Sequence, residues 1–348
     1  MDAPCRNIAD ALAHHFCKKD LVVFAAVRGK ILYMTVRRRA FLAVIIKGIV
    51  GEQSMDSMLR NKRTILIFIL PALIIYVSIV IAPIINSCYY GFFNWNIVGV
   101  KKFVGLNNFI QLFTNDDIFK TSLRNTFLLM AASIVVQTPL AILLALSLTG
   151  KFAGKRYFKT VFFLPNIMSS VAIGLLWVFI YNPEFGIINK LLTGMGLERM
   201  TRLWLAEEAT VLPSIIVTIC WQFIGYHMIL YLAALENIPA SLKEAALMDG
   251  ANSWIMFWNI TLPLIKPIMG IDLVFIATGS LRFFDLIYVM SNGGPNHASE
   301  VMASYMYVKS FRNMQYGYGS AISVILLVFC LGITFIFRKI FKTQDIEY

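Results

Sequence analysis

Glu244-Ala245-Ala246, followed after three residues by Gly250 and after nine more by Ile260-Thr261-Leu262-Pro263, fills a polar gap between two long apolar runs. Pro239 and Ser241 mark the start of a short helix that carries Glu244 to Met248, and Asp249 leads into Gly250, which supplies a turn that a side chain would obstruct. A second short helix is expected over 254–260, with Pro263 and Pro267 stiffening the chain where it re-enters apolar sequence. Ala245, Ala246 and Ala251 are small enough to let another surface come close. The spacing predicts a helix-turn-helix elbow held at a membrane face.

Composition says what kind of membrane-bound chain surrounds it. Of 348 residues, 58% are hydrophobic and only 14% charged, too apolar for an ordinary soluble protein, which places the chain in a lipid bilayer. The net charge of +12 lies beside apolar runs and not in a basic patch interleaved with aromatics, so nucleic acid is excluded as a partner. Cys5, Cys17, Cys88, Cys220 and Cys330 show no C-x-x-C pairing, and no disulfide or metal is inferred. There is no G-x-x-x-x-G-K-[ST] phosphate cradle, so ATP chemistry belongs to a partner. His227 and His297 stand without a serine elbow, an H-E-x-x-H pair or clustered carboxylates. No catalytic residue, metal ligand or cofactor is therefore expected.

Residues 1–57 mix His14-His15, Lys18-Lys19 and Arg37-Arg38-Arg39 with apolar runs too short to span. Three arginines near the middle of a helix over 31–50 would each cost about 2.5–3.5 kcal/mol on insertion. The run 40–50 has the length of a signal core, but Lys47 interrupts it and no small-x-small cleavage site follows. The leader is expected to be poorly ordered or not native, with Met55 or Met58 resembling a natural start before the basic flank of residues 59–63. Beyond it, runs at 64–90, 123–149, 160–181, 212–235, 268–290 and 319–337 approach or exceed the roughly 20 helical residues that cross a bilayer. The fold class is all-α, a polytopic protein with six membrane helices. Pro71 and Pro83 predict kinks in the first and Pro165 a break in the third.

Basic residues fix the orientation. Arg60, Lys62, Arg63, Lys151, Lys155, Arg156, Lys159, Lys243, Lys266, Arg338, Lys339 and Lys342 fall on one side of that alternation. Lys101, Lys102, Lys120, Lys190, Arg199, Arg202, Lys309 and Arg312 fall on the other, mostly in longer loops. The positive-inside rule puts both termini, and the polar loop 236–266, in the cytoplasm.

The loop spacing resembles the signature of permease subunits of bacterial ATP-binding-cassette (ABC) importers, where it forms the coupling helix that docks on a separate ATPase. Phe103-Val104-Gly105-Leu106-Asn107-Asn108-Phe109 and Phe163-Leu164-Pro165 with Trp177 resemble further segments of that family. Asp285-Leu286-Ile287-Tyr288 through Gly293-Gly294-Pro295 resembles a segment of its carbohydrate importers, with Ser291 in place of the usual Thr. The resemblance covers about residues 58–348 and points to the maltose, lactose and glycerol-phosphate group. It implies a type I importer permease fold in the bacterial inner membrane and a coupling role for Glu244, Ala245, Ala246, Asp249, Gly250, Ile260, Leu262 and Pro263. It also implies a second related permease, an ATPase dimer, an extracytoplasmic binding protein and a sugar, di- or oligosaccharide, as cargo.

Polar side chains in apolar helices face a cavity or a partner, so Asn125, Gln137, Gln222, Tyr226, His227, Ser280, Arg282 and Asp285 are candidates for the translocation path. Each could equally make a helix-to-helix hydrogen bond, and Arg282 and Asp285, three apart, could pair with each other. Two alternatives stay open. One is an importer of the same class for a peptide, phosphate or metal. The other is an ion-coupled carrier, which would leave the loop unexplained and whose paired carboxylates or inverted repeats are not evident.

Overall fold

A computed structural model describes residues 21–27, 30–36, 62–97, 99–150 and 153–341, in two units, Met1–Pro83 and Ile84–Tyr348. In the first unit, β1 (Leu21–Val27) and β2 (Lys30–Val36) form an antiparallel hairpin, with Leu21 opposite Val36 and Val27 opposite Lys30. Both strands are rich in β-branched and aromatic residues, a pairing the reading of the leader did not anticipate. The rest of the leader, with Met55 and Met58, lies outside the described residues. Helix α1 (Lys62–Tyr76) begins the first span, Ile69–Tyr90; a π turn at Val77–Ile81 joins it to α2 (Ala82–Tyr90).

In the second unit, β3 (Phe93–Asn94) pairs with β4 (Lys102–Phe103) ahead of α3 (Asn107–Thr114) and α4 (Asp117–Ser147). Then come α5 (Lys155–Ile167), α6 (Ser170–Ile180), α7 (Ile187–Gly194) and α8 (Glu208–Glu236). The loop holds α9 (Ala240–Met248) and α10 (Ser253–Met256); a π turn at Phe257–Thr261 leads into α11 (Leu262–Leu281). The chain closes with α12 (Asp285–Met290), α13 (Met302–Tyr307) and α14 (Tyr316–Ile340). Among the described residues, five helices are long and apolar enough to cross a bilayer, six if α5 and α6, bent by 99°, count as one span. That bend lies three residues beyond Pro165, so the predicted break is present.

The second helix of the elbow is not a separate element, which corrects the sequence expectation. Residues 253–290 form one apolar span, with α10 as its first turn. The Leu262 N–H reaches back five residues to the Phe257 carbonyl, as Ala82 does to Val77. In both places the next residue is a proline, Pro263 or Pro83. A proline ring collides with the carbonyl four residues back, and a widened turn just ahead of it relieves the collision. The prolines are thus absorbed, and the helix continues.

Helix α8 is the centre of the bundle and is buried over more of its apolar length than α4 or α14. Around it lie two clusters. Met228, Tyr231, Leu232 and Leu235 meet Ala141, Ile142 and Ala145 of α4 and Ile265 of α11, while Val211, Ile215 and Ile219 meet Leu129, Ile173 and Leu286. The crossing with α5 is close enough that a Cβ on Gly225 would stand 1.9 Å from the Phe162 carbonyl oxygen. Small residues at such crossings let helices approach where lipid offers no hydrophobic drive.

Away from the loop, Asp116 fastens three elements. Its carboxylate caps α4 by accepting from the Phe119 N–H at 2.9 Å, and it accepts from the hydroxyls of Tyr305 on α13 and Tyr318 on α14, each at 2.7 Å. Burial pushes this carboxyl up, but the tyrosine hydroxyls, the Phe119 N–H and the Lys309 charge outweigh it and hold it below the usual carboxylate value. A depressed carboxylate stabilises the fold fully above the ordinary value near 3.9, and that contribution is lost as pH falls through the lower folded value. Asp116→Ala is expected to cost about 1–2 kcal/mol. Thermal unfolding in detergent should show this at neutral pH, with the difference from wild type shrinking in acid.

Candidate functional site

The loop begins where α8 ends. Glu236 accepts from Lys155 at 3.1 Å and Lys159 at 3.2 Å, so the base of the loop is tied to the first turns of α5. Pro239 precedes α9 in an extended conformation, a fixed-φ residue suited to a helix start. At the other end the helix closes on itself. The Ala251 N–H donates to the Ala246 carbonyl at 2.9 Å and the Gly250 N–H to the Leu247 carbonyl at 3.1 Å, the two bonds of a Schellman cap. That cap requires the left-handed backbone of Gly250, φ +80°. No atom lies within 4 Å of where its Cβ would be, so the glycine answers to backbone conformation and not to crowding within the chain. Asn252 then caps α10, its side chain accepting from the Ile255 N–H at 2.8 Å.

Backbone bonds closed this way leave side chains free to face outward. Ala246 is buried, while Glu244, Ala245, Asp249 and Gly250 are exposed. Glu244 makes no ion pair among the described residues. Around it Leu247, Met248 and Trp254 are 60%, 88% and 69% exposed, and Trp258 packs its ring edge-on against Trp254. Apolar side chains this exposed, on a loop that also exposes Glu244 and Asp249, form a surface suited to a protein partner. Of the downstream residues, Thr261 is buried and Leu262 begins α11, with Ile260 in the π turn and Pro263 directly after it.

The path candidates divide. Asn125 donates to the carbonyls of Ala298 and Glu300, each at 2.9 Å, and pins the segment after Gly293-Gly294-Pro295 onto α4. Gln137 reaches the Cys220 sulfur at 3.6 Å, and Gln222 reaches Ser170 at 3.4 Å, bonds between α4 and α8 and between α8 and α6. Ser280 is buried in the last turn of α11. Tyr226 is 37% exposed. Arg282 and Asp285 do not share a helical face: α11 ends at Leu281 and α12 starts at Asp285, which sets both residues at a break. Both are exposed, and no ion pair joins them. Arg282 donates to the Thr278 carbonyl at 3.2 Å.

Three buried or half-buried carboxylates escaped the sequence reading. Glu300 is held by Ser304 and His297, Asp116 by its tyrosines, and Asp272 by His227 at 2.6 Å. Only the last had a signal, since a lone carboxylate inside an apolar span is a candidate by default.

The model for "Binding-protein-dependent transport system inner membrane component" matches residues 137–343. The chain is 37% identical over 291 residues to a Bacillus subtilis (strain 168) protein described as "Probable ABC transporter permease protein YurN", covering 83% of this chain and 99% of that one. It is 31% identical to a Thermoanaerobacterium thermosulfurigenes protein described as "Probable starch degradation products transport system permease protein AmyD", covering 81% and 94%. Among solved structures, a chain of a bacterial alginate ABC transporter in complex with an alginate pentasaccharide-bound periplasmic protein is similar at 27% identity and TM-score 0.70, covering 81% and 97%.

Gly225→Ala, which drives a Cβ into the Phe162 carbonyl, is expected to forfeit several kcal/mol of packing and leave little folded protein. Fluorescence-detected size exclusion should show the monodisperse peak lost; an unchanged peak would mean that α5 and α8 do not cross here.

Proposed function

The chain belongs to the binding-protein-dependent transport system inner membrane components, as a permease subunit of an ABC importer with ATP hydrolysis in a separate subunit, and on that premise we propose that its cargo is a di- or oligosaccharide. The carrying observation for the cargo is the likeness, over most of the chain, to permeases whose names specify starch degradation products and alginate. The helix break supports it chemically. Arg282 and Asp285 present a donor and an acceptor that sugar hydroxyls can use, and Tyr226 offers a hydroxyl and a ring. Asn125, Gln137 and Gln222 tie together the segments around that path, and Ser280 lies buried in the turn of α11 that leads to it.

The exposed face of α9 and α10 docks on the ATPase dimer. Met248 and Trp254 supply apolar contact, Glu244 supplies a carboxylate for a basic group, and the alanines allow close approach. A second, related permease completes the pathway, and an extracytoplasmic binding protein delivers the sugar. With both termini in the cytoplasm, the loop lies on the ATP side. Residues 58–348 form the permease, and 1–57 are a leader outside it.

Gly250→Asp is expected to leave membrane insertion intact while uncoupling transport, because it strains the cap and places a charge on the docking face. Normal uptake and substrate-stimulated ATPase activity in that variant would sink the docking assignment. Arg282→Ala is expected to raise the KM for sugar uptake about tenfold or more while ATPase subunits still co-purify. Uptake would be measured in proteoliposomes with the cognate binding protein against disaccharides and longer oligosaccharides. If only peptides or ions were taken up, the sugar reading would fall.

A further inference from the structure

The fifth span carries a carboxylate for which neither docking nor the path gives a use. Asp272 is fully buried in α11, and its Oδ1 lies 2.6 Å from Nδ1 of His227 in α8. Among the described contacts between a basic or imidazole side chain and a carboxylate it is the one with both side chains buried, 6% and 0% exposed. The hydroxyls of Tyr231 on α8 and Thr138 on α4 are also buried; that of Tyr231 lies close to the carboxylate and to Thr138 without a well-aligned bond to either. Three helices thus meet at one polar point in the membrane, where such groups are expensive to keep and mark function.

The two bonded residues stand on the helices that lead into and out of the coupling loop. Helix α8 delivers the chain to α9, and α11 takes it away. Below the pair, α8 and α11 meet through apolar groups, Met228, Leu235 and the ring of Tyr231 in the cluster with Ile265. Apolar side chains of this kind resist separation but have no direction, so two helices can slide along each other. A short bond between a ring nitrogen and a carboxylate oxygen fixes register. We propose that His227 and Asp272 are positioning residues, a clasp that makes α8 and α11 move as one body when the loop is pushed, so that loop displacement reaches the Arg282 break at the far end of α11. This rests on the docking reading above.

The test separates clasp from scaffold. Removing one partner strands a buried polar group and unfolds the protein, whereas replacing both by apolar residues of similar volume is often neutral for stability. The double variant His227→Phe with Asp272→Leu is therefore expected to keep its thermal stability within the purified permease–ATPase complex in proteoliposomes. Asp272→Asn, which keeps an acceptor for His227, serves as the conservative variant. Each is combined with Gly279→Cys, in the last turn of α11 where an added side chain meets no atom within 4 Å, in a background whose other cysteines are replaced by serine, and labelling by a membrane-impermeant maleimide is followed with and without ATP plus vanadate. The parent's labelling rate is expected to change on ATP and vanadate, Asp272→Asn to retain most of that change, and the double variant to lose it by about five-fold or more. An equal response in a stably assembled double variant would overturn the clasp while leaving docking intact. A parent that co-purifies with no ATPase, or whose labelling ignores ATP, would overturn the docking reading and the clasp with it.

Discussion

Inside hydrocarbon a polar group has no water to fall back on, and this constraint decides where the amides and carboxylates within the described spans have gone. Asn125 spends both amide hydrogens on the carbonyls of Ala298 and Glu300, which turns a side chain of α4 into the anchor of a distant loop. Gln137 and Gln222 bridge neighbouring helices, and Asp272 is matched by His227. Where the constraint lifts, at the ends of the helices, the charged residues are left exposed: Glu244 and Asp249 on the loop, Arg282 and Asp285 at the break. The same physics that builds the bundle therefore sorts residues that hold it from residues that can meet something else.

How much of this was legible follows from what each signal depends on. Spans are read from length and hydropathy, both properties of one segment alone, so the runs near 64–90, 123–149, 212–235 and 319–337 emerged with ends at most six residues from those of the helices observed. Pro165 marked a real break, because a bend three residues beyond it is a local consequence. Pro263 was read as stiffening the entry to the next apolar run, after a separate short helix over 254–260; the helix instead runs on through it. Whether a proline ends a helix or is absorbed by a π turn depends on whether neighbours hold the helix together, and Thr261, buried here, shows that they do.

The polar candidates fared unevenly for a related reason. A sequence shows that Asn125 is an amide in an apolar run, but not that Ala298 and Glu300 are waiting for it more than 170 positions away. Arg282 and Asp285 were placed on one helical face because residues three apart in a continuous helix share one. The helix is interrupted between them, and the shared face disappears. Asp272 was visible all along as a lone acid in an apolar run; what hid it was that its partner, His227, lies on the far side of the loop in sequence.

The Schellman cap on α9 has a kinetic consequence. Because the bonds from Ala251 to Ala246 and from Gly250 to Leu247 close within the loop, the elbow holds its shape with nothing bound to it. A surface that receives such a preformed knob does not have to order it first, so the entropic toll of association is small and the knob can seat and unseat without refolding. On the proposed docking, a rigid projection also wastes little of each push on its own deformation.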